Sequence, residues 1–351
     1  MYAWTDIVVC LSRENFAVEG KRKGTPCSSL GAMAITDGGF NEAQKNASGF
    51  NEAQVIARLK EIFASTDPRI SLGIGDDAAV VSGAKAQVLT TDMAVSGVHF
   101  RTDWSSAFEI GRKVTAANTA DLLAMSAKPD YLLVAVALTG SETMEWISDL
   151  ALGIKFEADL AEAHVVGGDI SRADQVVISM TAIGSTNKAI TRSGAKPGDG
   201  IYLSSLTGWS AAGLAIVSSG SKEDMESAPK ALSEFKSPTI DYGFDASKAN
   251  ALCDISDALV IQAAQMAESS KVCFNFDLTK IQASAEFMEL ENLAQRMDID
   301  IWSWIFAGGE DHVLLATGSD LPGLLIGEVT QGAGLANVPA GVEARAWKHF
   351  K

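Results

Sequence analysis

Five short segments of the chain carry aspartate with no lysine or arginine among them: GIGDDAAV (73–80), TTDM (90–93), NTADLLAM (118–125), VVGGD (165–169) and CDISDALV (253–260). Each sets its acid among glycine, alanine or β-branched residues, where an unpartnered carboxylate is too costly to bury. A cation must compensate. Oxygen-only donors suit a hard divalent ion, Mg²⁺ above all, and Mg²⁺ usually arrives with phosphates.

GIGDDAAV nearly fits the dinucleotide-binding G-x-G-x-x-G/A pattern, but Asp76 and Asp77 stand where bare amides should meet a pyrophosphate and would repel it. The segment reads either as a structural turn or as a metal loop, with Asp77 as ligand and Asp76 orienting it. The chain holds no G-x-x-x-x-G-K-[ST] phosphate loop. In TTDM a strand over Val88–Thr91 delivers Asp92 at its carboxyl end, and Thr90 and Thr91 add neutral oxygens. Asp121 lies on a helix expected over Ala107–Ala127, sharing one face with Val114, Ala117, Asn118 and Met125. It is either a buried cap partner or a metal or phosphate ligand.

Residues 164–169 read as a short strand ending in two glycines and Asp169, a place where backbone can approach a ligand closely. Asp254, Ser256 and Asp257 flank Ile255 ahead of a helix, and Ser256 or Asp257 fits the N-cap. Gly308-Gly309-Glu310-Asp311 repeats the glycine-acid theme. Arg192, in TRSGAKPGD, is a turn arginine able to reach a nucleotide phosphate or simply to face solvent. The four histidines (99, 164, 312, 349) show no ligand spacing, which argues against zinc and acyl-transfer chemistry.

Length predicts two domains to position these residues, since 351 residues exceed what one core normally serves. From Asn51, a candidate N-cap, Val55, Ile56, Leu59, Ile62 and Phe63 fall at helical spacing. Strands are expected at Val88–Thr91, Tyr131–Leu138 and Val176–Ile183, and a helix at Met144–Ala163. A boundary at Asn187–Thr191 precedes a strand at Ile201–Leu203. Beyond it come a helix from Ser210, a polar loop over Ser219–Pro229, a helix after Ser256, and strands near Val272–Phe276 and His312–Ala316. Residues 1–48 have a poor apolar period and read as a weakly ordered extension. Its GFNEAQ (39–44) recurs at 49–54, either a replication accident or a sign that translation starts downstream, for instance at Met33.

With 28 basic against 44 acidic residues the net charge is −16, which disfavours polynucleotides and anionic membranes and leaves small, metal-bridged phosphorylated partners. The four cysteines form no CxxC pair, and no apolar run has the roughly 18 residues of a membrane span, so a reduced cytoplasmic protein is expected.

In motif order and spacing, residues 49–351 resemble the thiamine-monophosphate kinase family, whose superfamily includes aminoimidazole ribonucleotide synthetase, selenophosphate synthetase and a hydrogenase maturation protein. The resemblance implies an α/β fold with an N-terminal ATP- and Mg²⁺-binding domain over 49–188, whose sheet forms a barrel across a homodimer, and a C-terminal α/β domain over 189–351. It implies transfer of the γ-phosphoryl of ATP to thiamine monophosphate. Asp77, Thr90, Thr91, Asp92, Asp121, Asp169, Asp254 and Asp257 match the family's magnesium-binding positions. Arg192 and Ser256 match ATP contacts, and His99, Glu310 and Trp347 match positions near the thiamine substrate. Ala258 replaces the usual glycine, the tail AWKHF (346–350) is shortened, and residues 1–48 have no counterpart. Two alternatives stand beside this reading: a non-catalytic nucleotide or thiamine-phosphate binder of the same fold, and a related ATP-dependent synthetase with another acceptor. The phosphate nucleophile, with a second pKa of about 6, needs no general base, and the obstacle is repulsion between two phosphorylated reactants.

Overall fold

A computed structural model of the chain describes residues 52–72, 80–81 and 86–342. Asn51, Asp77 and Trp347 therefore lie outside the described residues, as does the whole extension 1–48.

The first half contains α1 (Glu52–Ile62), β1 (Ile70–Leu72), β2 (Val80–Val81), β3 (Gln87–Val95), α2 (Ala107–Leu123), β4 (Lys128–Leu138), α3 (Met144–Leu160), β5 (His164–Arg172) and β6 (Val177–Ser185). Four strands form one sheet in the order β3-β6-β4-β5. β4 and β5 run parallel across the α3 crossover, and the other pairs are antiparallel. The alternation along β6 explains the layering: Ile178, Met180 and Ala182 are buried with Ile110, Val114 and Leu122 of α2 and Leu150 and Ile154 of α3. The two helices cross closely because Gly111 and Gly153 lack a side chain. A Cβ at Gly111 would sit 2.2 Å from the Leu150 carbonyl oxygen, and one at Gly153 2.0 Å from that of Phe108. On the other face of the sheet no helix among the described residues covers β3, where Leu89 and Met93 stand 65% and 59% exposed.

The second half contains β7 (Gly200–Leu203), α4 (Trp209–Ser219), α5 (Lys222–Ser227), α6 (Pro229–Lys236), β8 (Ala249–Asp254), α7 (Leu259–Ser270), β9 (Cys273–Phe276), α8 (Leu278–Gln282), α9 (Phe287–Arg296), α10 (Ile301–Ala307), β10 (Leu314–Gly318), β11 (Leu324–Thr330) and β12 (Gly334–Ala336). Its six-stranded sheet, in the order β12-β9-β11-β7-β10-β8, is antiparallel except for β12 beside β9. The largest core lies here, around Ile201, Leu203, Phe274, Phe276 and Phe306. Neither sheet closes into a barrel among the described residues, and no described helix is long and apolar enough to cross a membrane.

α2 is the common wall of the two halves. Ala124 at its end packs with Ile190, Leu252 and Leu314, and Ala116 and Ala120 pack with Ile240. Polar ties reinforce the seam: the Tyr242 hydroxyl donates to Glu157 Oε1 at 3.0 Å and lies 2.8 Å from Thr119 Oγ1, while Arg112 donates to Glu157 Oε2 at 3.0 Å.

Several expected boundaries move for identifiable reasons. β3 continues to Val95, so Asp92 is mid-strand rather than at a strand end, and β5 runs past the two glycines to Arg172. α2 stops at Leu123 because Ser126 takes a left-handed conformation (φ 54°) and the amides of Met125 to Ala127 fold back on Leu122 and Leu123. The polar stretch 219–229 contains the short α5, capped by Ser221. α6, α8, α9, α10, β1, β2, β8, β11 and β12 were not anticipated.

Candidate functional site

The capping box that starts α2 fixes the rotation of the helix. Ser106 Oγ accepts from the Glu109 amide at 3.3 Å, and Glu109 Oε2 accepts from the Ser106 amide at 2.7 Å. Three to four turns later Asp121 points at β3, where Thr90 Oγ1 donates to its Oδ2 at 2.6 Å. Thr90 and Asp92 share that strand face by the two-residue period. Thr91 takes the opposite face: its hydroxyl donates to the Met180 carbonyl at 3.0 Å and accepts from Thr181 at 3.3 Å, away from Asp121.

β8 brings Asp254 to the same place from the second half. Its Oδ2 lies 3.2 Å from His312 Nδ1. The charge of Asp254 is felt at both Asp92 and Asp121, so the acids of the two halves share one electrostatic neighbourhood. Burial, then the charges of Asp254 and Asp92, push the Asp121 carboxyl up to about 6, against the Thr90 hydrogen bond that favours ionisation. Asp92 keeps accessible surface, yet loss of solvent around its carboxyl also raises its pKa, with Asp254 adding to the rise and His312 and His99 opposing it. Burial alone would lower the His312 pKa, but the Asp254 carboxylate more than reverses this.

The loop Gly308–His312 closes the site. Gly309 must be glycine: a Cβ would meet the Asp257 and Ser256 carbonyl oxygens at 2.5 and 2.7 Å. The loop is thereby seated on the 254–257 segment, with the Glu310 and His312 amides donating to the Ser256 and Ile255 carbonyls at 2.7 and 2.9 Å. Glu310 and His312 both have positive φ, 62° and 52°, so successive side chains diverge. Glu310 Oε2 accepts from Lys113 Nζ at 2.8 Å. Asp311 turns the other way and caps α4, accepting from the Gly208 and Ser210 amides at 2.7 and 2.9 Å. Its full burial outweighs those bonds and lifts its pKa to about 6.

Neither Ser256 nor Asp257 caps the following helix, as one of them was expected to. The cap position is Ala258, whose amide donates to Gln262 Oε1 at 2.9 Å, while Ser256 Oγ accepts from Gln262 Nε2 at 3.2 Å. Arg192 is exposed beside β8 and donates to Gln265 Oε1 at 2.6 Å. His99, exposed after β3, accepts from the Val95 amide through Nδ1 at 3.1 Å, and its charge reaches Asp92 and Glu310. Asp169 is not in this cluster. It sits on edge strand β5, exposed, at the rim of an apolar cavity of about 170 Å³ lined by Val134, Val136, Leu150, Ile154 and Gly168.

The donors that do converge, Asp92, Asp121, Asp254 and Thr90, are all oxygens, and two of the carboxyls are held above their ordinary range. That chemistry fits a hard cation shared with phosphate oxygens. Among the described residues no three His, Cys, Asp or Glu side chains are grouped so as to hold a metal ion by themselves. The sequence reading missed Lys113 and His312. Lys113 stands two turns before Asp121 on the same helical stripe, a spacing that could have signalled it. His312 carries no periodic signal.

Residues 75–186 match the family described as AIR synthase related protein, N-terminal domain. The chain is 35% identical over 271 residues to the thiamine-monophosphate kinase of Corynebacterium glutamicum, covering 73% of this chain and 81% of that one. It is 36% identical over 254 residues to the thiamine-monophosphate kinase of Mycobacterium tuberculosis, covering 70% and 74%. Among solved structures, AaThiL complexed with AMPPCP and TMP superposes with a TM-score of 0.70 at 29% identity, covering 85% of this chain and 97% of that one.

Proposed function

This chain belongs to the thiamine-monophosphate kinase family, and from that membership we propose that it transfers the γ-phosphoryl group of ATP directly to the phosphate of thiamine monophosphate, giving thiamine diphosphate and ADP. The observation that carries the reading is that Asp92, Asp121 and Asp254, from two halves of the chain, act on one another electrostatically while, among the described residues, no lysine or arginine forms an ion pair with any of them. Such a site repels phosphates unless a divalent ion comes with them, which is how a nucleotide and a phosphate monoester are brought together.

Asp92, Asp121, Asp254 and the Thr90 hydroxyl would hold Mg²⁺, with Asp77, Asp169 and Asp257 as further ligand candidates. An ion held by these residues would supply neutralisation of phosphate charge. The residues themselves align donor and acceptor for in-line displacement. The acceptor oxygen is already largely ionised at neutral pH, so none of them need take a proton. Arg192 and Ser256 are assigned to the nucleotide phosphates, and His99, Glu310 and Trp347 to the thiamine end. The apolar cavity rimmed by Asp169 suits a nucleobase whose phosphates leave toward a metal. A homodimer built on the helix-free face of the first sheet would cover Leu89 and Met93, which otherwise remain in water.

The test is direct: purified chain, Mg²⁺, ATP and thiamine monophosphate, with thiamine diphosphate and ADP quantified together. Equal amounts of both products are expected. ADP without thiamine diphosphate would mean another acceptor, and neither product would leave a binding protein.

A further inference from the structure

Lys113 is a buried cation at the heart of the seam, 8% exposed, and nothing in the metal or nucleotide assignments uses it. Its ammonium is fully engaged, donating to Glu310 Oε2 at 2.8 Å and to the Phe235 carbonyl oxygen at 2.9 Å, and lying 4.6 Å from the centroid of the Phe235 ring. All three partners belong to the second half of the chain, whereas Lys113 rides on α2. Phe235 also meets Trp104, whose ring lies under Arg101, so one aromatic wall continues from the first half across to α6.

Glu310 has little else to hold it. Its backbone is left-handed, its own amide is spent on Ser256, and its neighbours Asp311 and His312 are turned to α4 and to Asp254. Burial alone would raise its pKa, but the Lys113 ammonium reverses the shift and keeps the carboxyl below its ordinary range. A carboxylate fixed and ionised in an otherwise acidic cleft suits a cationic acceptor, such as one carrying a thiazolium ring.

We propose that Lys113 is a positioning residue that presents Glu310 to the cationic ring of the acceptor, and so sets acceptor affinity without touching the nucleotide. This rests on the kinase reading and deepens it.

Lys113→Gln keeps a donor for the Phe235 carbonyl and loses the charge. The expected result is a rise of about tenfold or more in KM for thiamine monophosphate, with KM for ATP unchanged and kcat altered far less. Lys113→Arg, which keeps the charge, should recover most of the loss. In an Glu310→Gln background, Lys113→Gln should add little, because the group it positions is already neutral. Should Lys113→Gln fold poorly, the Lys113→Arg and Glu310→Gln variants still test the coupling, with titration of thiamine monophosphate in the presence of a non-hydrolysable ATP analogue and Mg²⁺. Unchanged acceptor KM in a variant that only melts earlier overturns the proposal in favour of a structural tie. Equal loss for ATP and acceptor overturns it too. A wild-type chain that makes no thiamine diphosphate would defeat the kinase reading itself, a failure distinguishable from these.

Discussion

Replacing Asp121 by asparagine should stabilise the metal-free protein and destroy its activity. The Asp121 carboxyl titrates at about 6 against an ordinary 3.8, because it is buried beside Asp254 and Asp92. About two units correspond to roughly 3 kcal/mol at most, and the partial accessibility of the side chain reduces this to about 1–2 kcal/mol. The sign follows from linkage: a raised acid pKa gives a contribution that is complete below the ordinary value and lost as pH rises through about 6. Above that, the ionised carboxylate is a cost that asparagine does not carry. Asparagine also leaves Thr90 an acceptor. In chelator the variant should melt at the wild-type temperature near pH 3 and a few degrees higher at pH 7.5. With Mg²⁺ and ATP the order reverses, since only the wild type gains a ligand, and product formation in the variant should fall about 100-fold or more. Wild-type turnover would remove Asp121 from the metal site. A variant that melts lower in chelator at every pH would make the carboxylate a structural partner of Thr90.

ATP should bind the wild type only with divalent metal, because Arg192 is the one arginine assigned to phosphates against the motif acids; calorimetry in chelator checks this, and Arg192→Ala should cost about 1–3 kcal/mol of affinity. Asp311→Ala should destabilise by about 2–5 kcal/mol in denaturant melts, since it strands the Gly208 and Ser210 amides at the buried start of α4, while acceptor KM in the surviving fraction changes through loop placement only. Gly168→Ala should lower both melting temperature and nucleotide affinity: the added Cβ would lie 1.8 Å from the Val134 carbonyl oxygen, so β4 and β5 must part beside Asp169. A tolerated alanine there would show that the edge strand yields freely.

Legibility in the sequence followed local physics. α2 and α3 were readable because each has a long apolar stripe and a capping residue, Ser106 and Thr143, at its start. β6 was readable from its strict alternation. The strands of the second half were harder, since β8 and β10 are buried throughout or nearly so and lose the two-residue period that marks a half-exposed strand. Within the site, Asp92, Asp121 and Asp254 could be named from their apolar settings. Their grouping came only through the family resemblance, because local pattern cannot show a seam between residues more than a hundred positions apart. Thr91 was counted with Thr90 for being adjacent, and adjacency on a strand places side chains on opposite faces.

The two residues that sequence reading missed sort the acids that it found. Glu310 and Asp254 each have a partner supplied by the fold, the Lys113 ammonium and the His312 imidazole, and Glu310 is held ionised by the first. Asp121 and Asp92 are given hydroxyl, histidine field or nothing, and burial pushes both above the ordinary range. On the reading proposed above, a carboxylate of the first kind held ionised by its own lysine, as Glu310 is, would be ready without any ligand to meet a cationic acceptor. The second kind is costly until a cation arrives, and that cost strengthens the dependence of phosphate binding on the metal. The proposed division of labour, acceptor recognition at Glu310 and metal-bridged phosphate binding at Asp92 and Asp121, thus follows which of these acids has a lysine beside it and which does not.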